Sequence, residues 1–234
     1  MNIVLFEPGE IGLPLPRTDA RALHILEVLR RGEGDRFDAG IVNGARGKGA
    51  VTRVDPDALH FRFEPVSDPP SADPIHLVLA LPRPQTARKI MNEATSLGVA
   101  SIRFFPSEKG EPGYAASTLW RTGEWRRHLL EGACQAFDTR LPEVRHDLSL
   151  GAALESLPAG CTRIALDNYE ASARMVPALA AYPLVIAFGP ERGWSPAERS
   201  VLRTAGFVLA HLGERVLRTE TAVVAAIALA KARA

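Results

Sequence analysis

Between Arg215 and Thr221 the chain packs two cations, one carboxylate and two hydroxyls into seven residues: Arg215, Arg218, Thr219, Glu220 and Thr221. Such a set can do two kinds of chemistry. A carboxylate can take a proton from a reacting group, and a guanidinium can stabilise the anion that forms. Arginine also grips phosphate or carboxylate through paired N–H donors. The segment stands at the mouth of a helix whose body, Ala222–Ala230, carries no charge. Thr219 or Thr221 as its cap, and Glu220 at the positive end of its dipole, have a purely structural explanation. Arg218 does not, because its charge opposes the dipole there. It marks an anion site. Glu191 is a second carboxylate candidate. His211 is a weaker one for a base, since a strand histidine is more often structural.

Two glycine-hinged loops must position these residues. Leu184–Phe188 reads as a buried strand that stops at Gly189-Pro190-Glu191-Arg192-Gly193. Ser195, Pro196 and Glu198 then match a capping box with proline at the first helical position. Phe207–Leu212 is a second strand-like run, ending at Gly213, and the polar segment Glu214–Thr221 feeds the last helix. In open α/β sheets, ligands bind where loops leave the carboxyl ends of strands. Gly189, Gly193 and Gly213 let the backbone approach a ligand closely, although ordinary strand-to-helix turns use the same residue type. The spacing is neither a GxGxxG fingerprint nor a GxxxxGK[ST] phosphate loop.

The rest of the chain divides in two. Residues 1–70 read as mostly β: strands at Ile3–Phe6, Arg36–Gly40, Ala50–Val54 and Leu59–Phe63, with a helix over Arg17–Arg31 that Thr18 caps. Short strands and tight turns predict a small barrel. Ser67–Pro74, with three prolines in eight residues, reads as a linker. Residues 71–234 alternate: strands at Ile75–Leu81, Val99–Phe105 and Arg163–Leu166, and helices at Gln85–Leu97, Leu119–Phe137 and Ser172–Ala181. That alternation predicts a mostly parallel sheet covered by helices.

Composition narrows the class of partner. The net charge is +1, so bulk charge gives no argument for nucleic acid. Any RNA site must be local, and Arg30, Arg31, Arg46, Lys48 and Arg53 form such a cluster on the expected barrel. Glu27, Glu33 and Asp35 dilute it, and a solvated charged surface is the plainer reading. Cys134 and Cys161 have no metal-ligand spacing and read as reduced thiols. No stretch reaches ~18 uncharged apolar residues, and the start MNIVLFEPGE lacks a basic region before a long apolar run. A soluble, cytoplasmic protein is expected. Trp120 and Trp125 read as core or interface residues. The small apolar run Ala222–Ala234 suits packing inside the domain or against a second subunit.

GPERGWSP (189–196) and LGERVLRTETA (212–222) resemble the two signature loops of the RsmE (YggJ-like) family, bacterial 16S rRNA uridine N3-methyltransferases of the knotted SPOUT class. HILEVLRRGEGD (24–35) is similar to that family's barrel motif, and Arg140 in TRLPEV matches one of its basic positions. The chain departs from the pattern at Arg192, Glu214, Asp138, Glu93 and Ser96. The resemblance implies an α/β fold: a C-terminal SPOUT-type knotted parallel sheet with helices on both faces (71–234), and a small N-terminal PUA-like β-barrel that binds RNA (1–70). It implies S-adenosylmethionine as methyl donor, held by Gly189, Pro190, Glu191, Gly193, Leu212, Gly213, Leu217, Arg218, Thr219 and Ala222. Arg218, Glu220, Glu191 and Arg215 are then the catalytic candidates, with Arg218 placed on a substrate phosphate or the donor's carboxylate. No metal is needed, because a sulfonium is already electrophilic. The implied partners are 16S rRNA or the small ribosomal subunit, and a second copy of the chain. The alternatives are a knotted methyltransferase acting on another RNA, and a catalytically silent RNA-binding ribosome-assembly protein.

Overall fold

A computed structural model of the chain describes residues 3–69, 71–178 and 181–232, with backbone alone at 177–178. Pro70 of the expected linker, residues 179–180 of an expected helix and residues 233–234 of the last one lie outside the described residues. The chain forms two compact units, Met1–Ser71 with Leu130–Leu141, and Ala72–Leu129 with Pro142–Ala234.

The first unit carries β1 (Val4–Phe6), β2 (Leu15–Pro16), β3 (Arg36–Ile41), β4 (Arg46–Val54) and β5 (Ala58–Ser67). They pair in the order β1-β3-β4-β5-β2, with β1 parallel to β3 and the other pairs antiparallel. Alternation sends Phe37, Ala39, Val51, Leu59 and Phe61 to one face. The mixed sheet curls around them as a small barrel, with Phe6 stacked on Phe61 at 4.5 Å between centroids. A satellite cluster joins Ile3, Leu5 and Val42 to Leu130, Ala133, Cys134 and Phe137, which is why residues 130–141 belong to this unit.

The expected helix over Arg17–Arg31 is shorter and irregular. It is α1 (Ala20–Leu23) followed by a π-helical turn over His24–Val28. Asp19, not Thr18, caps it, its carboxylate accepting from the Arg21 amide at 2.8 Å. The same carboxylate and Glu10 clamp the Arg21 guanidinium at 2.8 and 2.6 Å, so the ion pair fixes the entry that a threonine hydroxyl alone would hold weakly.

The second unit alternates β6 (Asp73–Ala80), α2 (Pro84–Ser96), β7 (Val99–Phe105), α3 (Thr118–Arg121), the start of α4 (Trp125–Ala136), β8 (Glu143–Arg145), α5 (Leu150–Glu155), β9 (Thr162–Leu166), α6 (Met175–Ala178), β10 (Leu184–Phe188), α7 (Pro196–Thr204), β11 (Val208–Ala210) and α8 (Thr219–Lys231). The six strands lie in the order β11-β9-β10-β6-β7-β8 and every pair is parallel. Helices cover both faces, so a central strand such as β10, LVIAF, is buried on both sides and reads as a continuous apolar run. On one face Val78, Ala80, Phe105, Ala165, Val185 and Ala187 meet Ala153 and Leu154 of α5 and Leu202 of α7. On the other, α8 packs against α2 and β10, burying Val223, Ala226, Ile227 and Ala230.

Three expectations change here. The single helix expected at Leu119–Phe137 is two, α3 and α4, split at Thr122–Glu124 where Gly123 takes φ +74°. The Thr122 hydroxyl closes α3 by donating to the Thr118 carbonyl at 2.8 Å. The strand expected at Phe207–Leu212 shrinks to Val208–Ala210, because beyond it the chain pairs with a loop instead: His211 exchanges main-chain bonds with Ala173 and Met175 at 3.0 and 2.9 Å. The linker is only residues 68–72, since β5 runs to Ser67 and β6 starts at Asp73. Trp120 is buried and Trp125 half-buried, and both lie against the His146 ring.

Candidate functional site

The chain leaves β6 toward β7 and β8 but leaves β10 toward β11, so the direction of winding reverses between the neighbours β10 and β6, and a cleft lies beyond the carboxyl ends of β9 and β10. Three loops build it: residues 167–174 after β9, 189–195 after β10 and 211–218 after β11.

The first loop is fixed by Asp167, whose side chain is fully buried. Its carboxylate accepts from the Tyr169 amide at 2.7 Å, from the Glu170 amide at 3.3 Å and from Arg199 Nε of α7 at 2.5 Å. Burial pushes this carboxyl up, but the Arg199 hydrogen bond and the two amides outweigh it and hold the group below its usual value. The second loop is fixed by Trp194, whose indole N–H donates to the Leu166 carbonyl at 2.9 Å and whose ring lies parallel to Phe105. The expected capping box is present: Ser195 accepts from the Glu198 amide at 3.0 Å and Glu198 from the Ser195 amide at 2.8 Å.

The glycines of this loop serve packing as well as approach. A Cβ on Gly189 would stand 3.1 Å from the Trp194 ring. Gly193 has φ +69°, and a Cβ there would strike the Tyr169 ring at 2.6 Å. Gly213 is different: its φ of +143° demands glycine while the space beside it is open.

The third loop ends at α8. Arg218 itself occupies the N-cap, with no side-chain capping bond, and Thr219 is the first helical residue, so neither threonine caps the helix as expected. Glu220 accepts from its own amide, and Lys89 of α2 approaches it at 3.3 Å. The amide and then Lys89 hold this carboxyl below its usual value, against the opposing effect of burial.

Two adjoining spaces result. The first is a cleft of about 210 Å³. Gly189, Pro190, Glu191, Gly193, Leu212, Leu217, Thr219 and Ala222 line it, and so does Arg215. Leu166, Asp167, Asn168, Tyr169 and Phe188 form its other walls and are not among the expected site residues, although an Asp-Asn pair directly after a strand is a usable signal for a loop at a sheet's carboxyl edge. Gly213 is not in the lining, and Arg218 faces the second space instead. The second is a broader groove of about 640 Å³ lined by Arg83, Lys89, Lys109, Arg192 and Arg218, with Glu111, Glu191 and Glu220 among them. Glu191 and Thr219 line both, so cleft and groove adjoin at these two residues. The four expected catalytic residues thus divide, Arg215 in the cleft, Arg218 and Glu220 in the groove, Glu191 in both. His211 is half-buried, and its Nδ1 has no hydrogen-bond partner among the described residues.

The expected RNA cluster lies on the first unit. Lys48 is paired with Asp38 at 2.5 Å and Arg53 with Asp55 at 2.7 Å, while Arg46 donates to the Phe137 carbonyl at 3.4 Å. Arg30 and Arg31 are exposed, and Arg30 takes φ +53°. The Arg140 amide donates to Asp138 at 2.9 Å. No group of three His, Cys, Asp or Glu able to hold a metal occurs among the described residues, and no helix of theirs is long and apolar enough to cross a membrane.

A parallel sheet with helices on both faces, looped at its carboxyl edge into a cleft beside a cationic groove, is the architecture of RNA methyltransferases. The chain belongs to that family: the RNA methyltransferase domain model matches residues 69–231. The chain is 34% identical to ribosomal RNA small subunit methyltransferase E of Treponema pallidum, covering all of this chain and 92% of that protein. It is 25% identical to ribosomal RNA small subunit methyltransferase E 1 of Borreliella burgdorferi, over 97% and 95% of the two. Among solved structures, ribosomal RNA small subunit methyltransferase E of Neisseria gonorrhoeae, bound to S-adenosyl methionine, superposes with a TM-score of 0.78 at 24% identity, over 99% of this chain and 98% of that one. A Legionella pneumophila methyltransferase in complex with the same cofactor gives 0.78 at 23%, over 100% and 98%. The fold is therefore the α/β one expected: a SPOUT-type parallel sheet with helices on both faces and a small N-terminal barrel.

Proposed function

We propose that this protein methylates N3 of a uridine in 16S ribosomal RNA, with S-adenosylmethionine as donor. The observation that carries the reading is that the glycine-bounded cleft adjoins the cationic groove at Glu191 and Thr219. The cleft suits the donor: its walls are apolar at Leu166, Phe188, Leu212, Leu217 and Ala222 and polar at Asp167, Asn168 and Arg215. Bound there, S-adenosylmethionine supplies a methyl group on an electrophilic sulfonium.

The chain's own residues do the rest. A uridine in the groove must lose its imide proton, and Arg218 stabilises the anion that forms. Glu220 is held ionised by its own amide and Lys89, which makes it a weak proton acceptor. Glu191 lines both spaces and takes the proton. Holding base and donor in adjoining spaces supplies much of the acceleration.

The barrel grips ribosomal RNA, and the enzyme works in the cytoplasm as a homodimer joined through its second unit, with α8 at or near the interface. Thr221 and Ala228 on α8 are exposed among small apolar neighbours, which suits close helix packing. Light scattering showing a monomer at micromolar concentration would reject the dimer.

The test is methylation of small ribosomal subunits from a strain lacking the gene, with labelled donor and nucleoside analysis of the RNA. Label in 3-methyluridine is expected. Label on ribose or another base overturns the N3 assignment. Label in a different RNA identifies a knotted enzyme with another substrate. No donor binding by calorimetry leaves a silent assembly protein.

A further inference from the structure

Resting on the methyl-transfer reading, in which Arg218 serves the target base, we infer that Arg83, Lys89, Lys109 and Arg192 around it make the rest of the groove a sequence-blind grip for the RNA sugar-phosphate backbone beside the target nucleotide. The five cations come from four separate stretches: the start and middle of α2, the loop after β7, the loop after β10 and the N-cap of α8. Only three carboxylates share the groove. Lys89 is engaged by Glu220 at 3.3 Å. Arg83 donates to the Tyr114 hydroxyl at 3.1 Å and Lys109 to the Trp194 carbonyl at 3.0 Å, so neither contact is with a carboxylate and both side chains retain further donors. The Arg192 and Arg218 side chains make no hydrogen bond or ion pair within the described residues, although the Arg218 charge helps hold the Glu220 carboxyl below its usual value. Cations left unneutralised around one concave space attract a polyanion.

The groove differs from part of the barrel's cationic cluster. There Lys48 and Arg53 are each paired with an aspartate. In the groove Lys109, Arg192 and Arg218 are not. The lining also decides what is read. Tyr114 is its one aromatic residue, so bases have little to stack on, and the long cations suit phosphate oxygens. Contacts of that kind set position and carry no sequence information.

Arg192→Gln and Lys109→Gln separate this from other roles. Arg192 is exposed and outside the cleft lining, so its replacement leaves the fold intact; glutamine at 109 keeps a donor for the Trp194 carbonyl. Affinity for a 16S rRNA transcript and for an unrelated single-stranded 20-mer is measured by fluorescence anisotropy across a salt series. Donor affinity, by calorimetry, serves as the control for folding. Each variant is expected to reduce the salt slope by about 0.7, the double variant by about 1.4, and affinity for both RNAs by the same factor. A parental slope in Arg192→Gln and in the double variant overturns the proposal. Loss confined to the 16S transcript overturns the sequence-blind assignment. A parent protein that binds RNA through the groove yet transfers no methyl group would sink the methyl-transfer reading and leave the groove standing.

Discussion

Replacing Asp167 with asparagine tests what holds the cleft together. Asparagine keeps the shape and the oxygen that accepts from the Tyr169 and Glu170 amides, but removes the charge facing Arg199. That guanidinium is 7% exposed and would keep the retained oxygen, at 3.3 Å, and one carboxylate, Glu170 at 3.4 Å, which Arg203 already engages at 2.5 Å. Removing one partner of a buried pair costs about 3–5 kcal/mol, and the residual Glu170 contact argues for the low end, about 3 kcal/mol. For a protein of this size each kcal/mol lowers the melting temperature by about 2–4 °C, so a drop of about 6–12 °C is expected. The assay is tryptophan fluorescence. Trp120, Trp125 and Trp194 all lie in the second unit, so the signal reports the unit that carries the pair. Arg199→Met should cost a similar amount by stranding the carboxylate, and the double variant should cost clearly less than the sum. Because Asp167 also lines the cleft, donor affinity should fall with it. A melting temperature within 2 °C of the parent in Asp167→Asn, or strict additivity in the double variant, would refute the reasoning.

Three other perturbations address separate parts of the molecule. Arg218→Ala should lower single-turnover methylation about a hundredfold at saturating donor, with donor affinity little changed, since one such electrostatic contact is worth ~3 kcal/mol; Glu220→Gln should cost far less, and the reverse order would make Glu220 the base. Gly213→Val should abolish donor binding in calorimetry, because a β-branched residue at φ +143° must re-form the loop that leads to Leu217; unchanged affinity in a folded variant would place the donor elsewhere. In the first unit, hydrogen bonds from Arg21 hold the Glu10 and Asp19 carboxyls below their usual values. Lowered carboxyls stabilise the fold above the unfolded-state values near 4 and lose that contribution as pH falls through the folded ones. The deficit in stability of Arg21→Gln should therefore be largest at neutral pH and shrink in acid; a deficit constant from pH 7 to pH 3 would show the pair is not its source.

Much of the second unit could be read from residues alone. β10 matches the apolar run Leu184–Phe188, because a strand covered on both faces leaves an unbroken signal, and β7 matches Val99–Phe105 although Ser101 and Arg103 interrupt its apolar residues. The capping box at Ser195 was equally plain. Elements shorter than a periodicity window were not: β2 has two residues, β8 three, and α5 six. The split between α3 and α4 escaped because apolar residues continue on both sides of Gly123. Residues 130–141 join the first unit through Ile3, Leu5 and Val42, contacts that no local pattern encodes. The candidate site shows the same limit. Its two glycine loops announce themselves, whereas Arg83, Lys89 and Lys109 lie some hundred residues earlier and only the folded sheet edge gathers them. Asp167 was passed over because a lone aspartate after a strand looks like a turn until its arginine is found on α7.

The way α8 lies back across α2 and β10 has a mechanical consequence. Ion pairs hold it near both ends, Lys89 with Glu220 at 3.3 Å and Lys231 with Asp73 at 2.5 Å, and surface pairs of this kind are worth at most about 1 kcal/mol each. The stronger hold is the face of Val223, Ala226, Ile227 and Ala230, which runs along the helix over the middle of the sheet. A degradation machine that grips the chain beyond Lys231 and pulls cannot peel a strand first. It must shear that whole face at once, then draw residues 211–218 past a loop that bonds the backbone of His211 on both sides. Forced unfolding follows the height of that barrier and not the equilibrium stability. Traction from this end therefore meets its greatest resistance at the outset, and the strands of the sheet come free only after α8 has been stripped away.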